Sequence, residues 1–312
     1  MSRSVLSLRL PVYLQTKLIQ NGYHTVADFD RHLDLGFLTQ SEVHSLKCAA
    51  GTKLSARSAL SLRQQALTQS YFSTQLSQLD ALLGGRGIPL GCVTEVTGEP
   101  GSGQTDLCLR LCLAARLPAA QGGLGVDSLY IDTVGSFSYC GAARAALRLC
   151  APHHEHATDS ELSDSLATSL LDGIHVFRVY AAHELSALLC SFDEIASQVA
   201  GIGLVIINTV SWPYVASFAS SIARRQVMHT ELAHKLAQIA SKHNVAVVLV
   251  SQAKSTFGRS NISLSSSSSM DGDVWARVSA NRIILQRRSN GVSVVLSAST
   301  MHPPGETFVK IM

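Results

Sequence analysis

The chain has 312 residues, of which 46% are hydrophobic and 15% charged, with a formal net charge of +3. That length carries one sizeable core and a small second domain, and the composition excludes a disordered protein. So weak a net charge excludes nucleic-acid binding by bulk charge; a phosphate-contacting surface has to be a local cluster of Lys and Arg.

No run of about 20 apolar residues is present to span a bilayer, so no membrane segment is expected. "MSRSVLSLRLPVYLQ" lacks the unbroken apolar stretch and small-residue site of a signal peptide. Seven cysteines, at 48, 92, 108, 112, 140, 150 and 190, occupy apolar segments without C-x-x-C spacing. An odd number in such settings predicts reduced core thiols in a reducing compartment, with Cys108 and Cys112 filling core volume on one helix face.

Residues 1–65 predict an all-helical domain with a helix-hairpin-helix character. "PVYLQTKLIQNGY" starts with Pro11 near a helix N-terminus and ends at Asn21-Gly22, a C-cap signal. "TVADFDRHL" follows with Thr25 as N-cap; then come "TQSEVHSLKCAAG" and "SARSALSLRQQAL". Units of this kind bind nucleic-acid backbone or dock proteins, and the sequence leaves both open. Residues 66–75 read as a linker.

Residues 76–312 change character. "CVTEVTG" predicts a strand running into a Gly-rich loop, and "GQTDLCLRLCLAARL" an apolar helix directly after it. "SLYIDT", "IHVFRV", "GLVIINTV" and "VAVVLVSQ" are continuous β-branched runs separated by helical patterns. Strands apolar on both faces, alternating with helices, predict a buried parallel sheet of βαβ units. The last part, "NRIILQRR", "GVSVVLSAS" and "ETFVKI", predicts short antiparallel strands at one edge. Between these parts, residues 253–273 are polar, Ser-rich and too long for an ordinary connection. They read either as a surface loop without a role or as a binding loop, and their place after a central strand favours the second.

The stretch "GEPGSGQT" nearly matches the phosphate-cradling pattern G-x-x-x-x-G-K-[ST], with Gln104 where the lysine belongs. Gly98, Glu99, Pro100, Gly101, Ser102, Gly103, Gln104 and Thr105 are therefore the candidate nucleotide-binding residues. Glycines there let backbone N–H groups converge on phosphate oxygens at a helix N-terminus, and the Thr105 hydroxyl reaches toward Mg²⁺. The charged groups that hydrolysis needs are replaced. Gln104 offers the β- and γ-phosphates only neutral hydrogen bonds. "LVIIN" ends in Asn208 instead of an acid that would hold the metal shell, and Val134 stands where a carboxylate would orient the attacking water. No catalytic residue is intact.

Asp132, close by, reads as a partial metal ligand or as a cap of its strand end. His153, His154 and His156 lack metal-ligand spacing and read as a solvated loop. Trp212 and Tyr214, flanking Pro213, either stack on a base or belong to core or partner surface.

With these residues in view, the chain resembles the RecA/RadA recombinase family, and within it the eukaryotic accessory paralogues, closest to the C-type. The resemblance rests on "LGGRGIPLGCVTEVTGEPGSGQT", "LPAAQGGLGVDSLYIDTVGSF", "GLVIINTVSWPY", "ARRQ", "HNVAVVLVSQ" and the N-terminal "SLRLPVYLQTKLIQNGYHTVADF". It implies a RecA-like P-loop core, an α/β fold with a mostly parallel central sheet flanked by helices, plus the small N-terminal helical domain. It also implies ATP, with or without Mg, as the bound nucleotide, other recombinase paralogues as partners in a hetero-oligomer, single-stranded or branched DNA as ligand, and a nuclear role in mitotic or meiotic double-strand-break repair.

The family has Lys, Glu and an acidic residue where this chain has Gln104, Val134 and Asn208, so the expectation is a degenerate ATPase. The alternatives are a DNA-dependent ATPase completed in trans by a partner's basic residue, and a RecA-fold interaction protein without nucleotide or DNA. Gln252 matches the family's γ-phosphate-sensing glutamine. Residues 253–273 resemble the second DNA loop and about 211–224 the first. Arg224, Arg225, Lys254 and Arg259 are thereby candidate DNA contacts, with ordinary solvated charge as the other reading.

Overall fold

The computed structural model describes residues 4–8, 10–26, 28, 37–50, 58–150, 160–199, 201–218, 221–252, 272–288 and 291–309. They divide into two units, Met1–Leu67 and Thr68–Met312.

In the first unit, helix α1 (Val12–Gln20) starts after Pro11 and stops at Asn21, with Gly22 beyond it at φ +84°. Leu14 and Leu18, four residues apart on one face, are buried with Val5, Leu8, Tyr23 and Leu46. Helix α2 (Gln40–Ala50) opens on a reciprocal cap. Thr39 Oγ1 accepts the Glu42 N–H at 3.3 Å, and Glu42 accepts the Thr39 N–H at 2.8 Å. Lys17 of α1 pairs with the same carboxylate at 2.9 Å. Helix α3 (Ala59–Leu67) closes the unit. Most of the helix expected after Thr25 lies outside the described residues.

The second unit begins earlier than the sequence reading placed it. Residues 68–75 belong to it instead of forming a linker: β1 (Tyr71–Phe72) pairs with β2 (Ile88–Pro89), and Phe72 and Thr74 are buried. Asp80, in helix α4 (Ser77–Leu82), fastens this stretch by accepting hydrogen bonds from the Ser73 hydroxyl at 2.6 Å and the Thr74 N–H at 2.9 Å.

The main sheet has eight strands among the described residues, in the order β10-β9-β8-β3-β7-β6-β4-β5. These are β3 (Val93–Gly98), β4 (Asp127–Asp132), β5 (Ile174–Arg178), β6 (Ile202–Asn208), β7 (Ala246–Gln252), β8 (Ser279–Arg288), β9 (Gly291–Ser299) and β10 (Gly305–Val309). β3 to β7 are mutually parallel, as the βαβ pattern predicts.

Successive side chains of β6 supply the two core layers. Leu204 and Ile206 pack on helices α5 (Gln104–Arg116) and α6 (Tyr139–Cys150). Val205 and Ile207 pack on α8 (Ala182–Cys190), α9 (Phe192–Gln198) and α11 (Ile222–His243). A further helix, α7 (Ser160–Asp172), packs with α5 and α6 through Leu113, Leu149 and Leu170. Cys108 and Cys112 are fully buried in α5; burial pushes the Cys112 thiol up to about 12 and Cys108 well above an ordinary thiol, so both act as core filler.

Two expectations change here. β8 is not an antiparallel edge strand: it pairs in parallel with β3, and in the main sheet only the β8–β9 and β9–β10 pairings are antiparallel. β5, read as a buried strand, forms the sheet edge and leaves Val176, Phe177 and Arg178 exposed, because β4 covers only one of its sides.

Candidate functional site

Parallel pairing lines up the carboxyl ends of β3, β7, β6 and β4 along one margin of the sheet, where ligands of open α/β sheets bind. Register sets Gly98 beside Gln252 and Asp132 beside Asn208. Residues far apart in sequence therefore meet at the N-terminus of α5.

The loop before α5 has the backbone of a phosphate cradle. Gly101 and Gly103 lie at φ +81° and +90°, where a side chain would be strained, and Gly103 is the N-cap of α5. The first-turn N–H groups of Gln104 and Thr105 have no acceptor within the helix and stand at its positive end. A Cβ on Gly98 would stand 2.4 Å from Ser102 Oγ, so the strand end tolerates no side chain. The Ser102 hydroxyl is buried without a hydrogen-bond partner, an unmet polar group inside the cradle. These features fit a phosphate.

The polar side chains around it are neutral or committed. Gln104 Nε2 donates to the Ser251 carbonyl at 2.9 Å and so ties the loop to the end of β7. Asn208 Nδ2 lies among three hydroxyls: Tyr130 at 2.8 Å, Ser136 at 3.0 Å and Thr105 at 3.2 Å. Its two hydrogens serve two of them at once. Burial raises the Tyr130 phenol above its ordinary value, which keeps it protonated.

Asp132 is fully buried. Its Oδ1 accepts from the Ser136 N–H at 3.0 Å and the Val134 N–H at 3.3 Å, and its Oδ2 from the Phe137 N–H at 3.0 Å. It therefore caps the turn after β4, the second of its two sequence readings. Val134 is 40% exposed and brings no charge. The Thr105 hydroxyl accepts from the Asn208 amide at 3.2 Å, and the nearby Asp132 carboxylate is committed to its turn. Mg²⁺ selects carboxylate and phosphate oxygens, so these protein groups alone do not fit it. No cluster of three metal-ligating side chains occurs among the described residues.

The Rad51 family pattern matches residues 63–311, a span that contains the whole of this site. The chain belongs to the Rad51 family. Among its relatives is the DNA repair protein RAD51 homolog 3 of Cricetulus griseus, 27% identical over 310 residues that cover 91% of this chain and 83% of the relative. The protein of the same name from Dictyostelium discoideum is 28% identical over 184 residues, 57% of this chain and 48% of that one.

In this Rad51-family chain the segment 211–224, expected as a loop, is largely helical. Pro213, whose fixed φ suits a first helical turn, starts α10 (Trp212–Ser217), and Ser221 caps α11 by accepting the Arg224 N–H at 3.3 Å. Trp212 and Tyr214 part company: Trp212 is 49% exposed, whereas Tyr214 is buried edge-on against His229 at 4.7 Å, next to Trp275. Arg224 is exposed and stacks over Phe218 at 4.8 Å, with Arg225 beside it in the first turn of α11. Positive charge at that helix end opposes the dipole, a cost that a bound anion would offset. Gln252 sits at the loop, whereas Lys254, Arg259 and the three histidines at 153, 154 and 156 lie outside the described residues.

The sequence reading missed Arg287. β8 runs beside β3 with Leu285 opposite Gly98 and continues past the loop. Period two puts Arg287 on the face that Leu285 shares with α5. Its Nη1 stands 3.7 Å from where a Cβ on Gly101 would be. Only the parallel β3–β8 register, invisible in one sequence, carries that signal.

Proposed function

We propose that the chain is an accessory subunit of homologous-recombination repair, acting in the nucleus with other recombinase paralogues, and that its nucleotide site binds phosphate without hydrolysis. The observation that carries this reading is an intact cradle whose surrounding catalytic positions hold Gln104, Asn208 and Val134, while the nearby carboxylate of Asp132 is used as a turn cap. Phosphoryl transfer depends on cations and carboxylates fixed around the transferring group, and neutral groups supply neither. Bound ATP would bring its own phosphate charge to the loop, where Arg287 offers a guanidinium in place of the lysine. Arg224 and Arg225 are the candidate contacts to DNA phosphates. The free edge of β5, with apolar Val176 and Phe177, is the surface proposed for a partner subunit.

The test measures nucleotide binding and turnover on the purified chain with its partner. A fluorescent ADP analogue binds, Arg287→Ala weakens that binding about tenfold, the scale of one charged hydrogen bond, and no DNA-stimulated hydrolysis rises above background. Turnover abolished by Thr105→Ala would overturn the reading.

A further inference from the structure

Among the described residues two half-buried arginines have an acidic partner: Arg116 pairs with Asp127, and Arg282 with Glu95. One group does not. Between α5 and α6 a cavity of about 150 Å³ is lined by Asp106, Arg110, Leu113, Arg144, Arg148 and Leu149, among others. Arg110 projects from α5, and Arg144 and Arg148 lie four residues apart on one face of α6.

Their hydrogen bonds neutralise nothing. Arg110 Nη1 donates to the Gln75 carbonyl at 3.2 Å and Arg144 Nε to the Cys140 carbonyl at 3.3 Å. Among the described residues none of the three is ion-paired, nor is Asp106. Three cations against one carboxylate leave a net charge of about +2 in a concave, partly apolar recess, where low-dielectric walls concentrate the field. Arg110 is half-buried; its own burial, and then the Arg148 guanidinium, hold its pKa below the usual range. Such a set repels itself unless an anion enters.

We propose that the cleft between α5 and α6 is an anion site for a phosphate group, separate from the loop at 98–105. Guanidinium forks match tetrahedral phosphate oxygens two at a time. The volume admits one or two groups of that size and excludes a duplex or a folded segment. The ligand is therefore free phosphate or a phosphate borne by a small molecule.

The test uses the full chain with inorganic phosphate at fixed ionic strength, read by thermal unfolding and calorimetric titration. Arg144 and Arg148 are both exposed, so the double variant Arg144→Gln/Arg148→Gln keeps the fold. Gln104→Glu places a repelling carboxylate at the loop and leaves the cleft intact. Phosphate raises Tm by about 2–4 °C in the native chain and in Gln104→Glu, and combining Gln104→Glu with the double variant removes that rise. Without phosphate the double variant melts at or above the native temperature, because repulsion is relieved. The proposal is overturned if the combined variant keeps the response, if Gln104→Glu alone abolishes it, or if acetate gives an equal rise. A double variant that melts lower in phosphate-free buffer also overturns it, since the guanidiniums would then be structural.

Discussion

Asp132 shows how one residue type serves either chemistry or architecture according to what its oxygens already hold. Three backbone N–H groups of the turn 134–137 point at its buried carboxylate. Replacing it by Ala leaves those donors without an acceptor in a dry site, which costs about 3 kcal/mol. Urea unfolding of Asp132→Ala measures that loss; a change below about 1 kcal/mol would return the carboxylate to a role in ligand binding. Gln104 and Asn208 follow the same logic with neutral groups. Each found partners inside the protein, Ser251 for one and the Tyr130–Ser136–Thr105 hydroxyls for the other. A lysine or an aspartate in their places would carry a charge that these partners do not balance.

Among the elements, β5 departs furthest from expectation. Its "IHVFR" is apolar enough for a central strand, yet it is the margin of the sheet, with Phe177 37% and nearby Tyr180 57% exposed. An unpaired strand edge with apolar side chains is a template for another strand, which is why a partner is proposed there. Phe177→Lys places a charge on that edge without touching the core. It is expected to abolish co-purification with a recombinase paralogue while leaving Tm within about 2 °C of the native value. Retention of the partner at native level would refute the assignment of this edge. α10 makes the complementary point, since Pro213 turns an expected loop into a short helix whose Tyr214 serves the core.

On the scale of the whole molecule, each unit closes its own apolar core: Val5, Leu14, Leu18 and Leu46 in the first, the two faces of the eight-stranded sheet in the second. Two calorimetric transitions are the expected consequence. Acid acts on the first through Glu42. The Thr39 N–H, and then the Lys17 ammonium, hold its carboxyl below the usual value, so its contribution is present above the unfolded pKa of about 4.3 and is lost as pH falls through the lower folded one. The first transition therefore moves to lower temperature below about pH 4, and Glu42→Gln flattens that dependence. A single transition, or an unchanged acid slope in the variant, contradicts this account.

Local pattern determined much by itself. Continuous apolar, β-branched runs between helical stretches required a parallel sheet with helices on both faces, and a strand, three glycines, Thr105 and a helix required a phosphate cradle. The same residues marked Gln104, Val134 and Asn208 as neutral where charge was needed. What required tertiary structure was everything set by non-local pairing. The β3–β8 register carried Arg287 to the loop, strand order made β5 an edge, and the approach of α5 to α6 collected three arginines. Such outcomes depend on which strands and helices become neighbours, a choice made by the whole core and written in no short stretch of the chain.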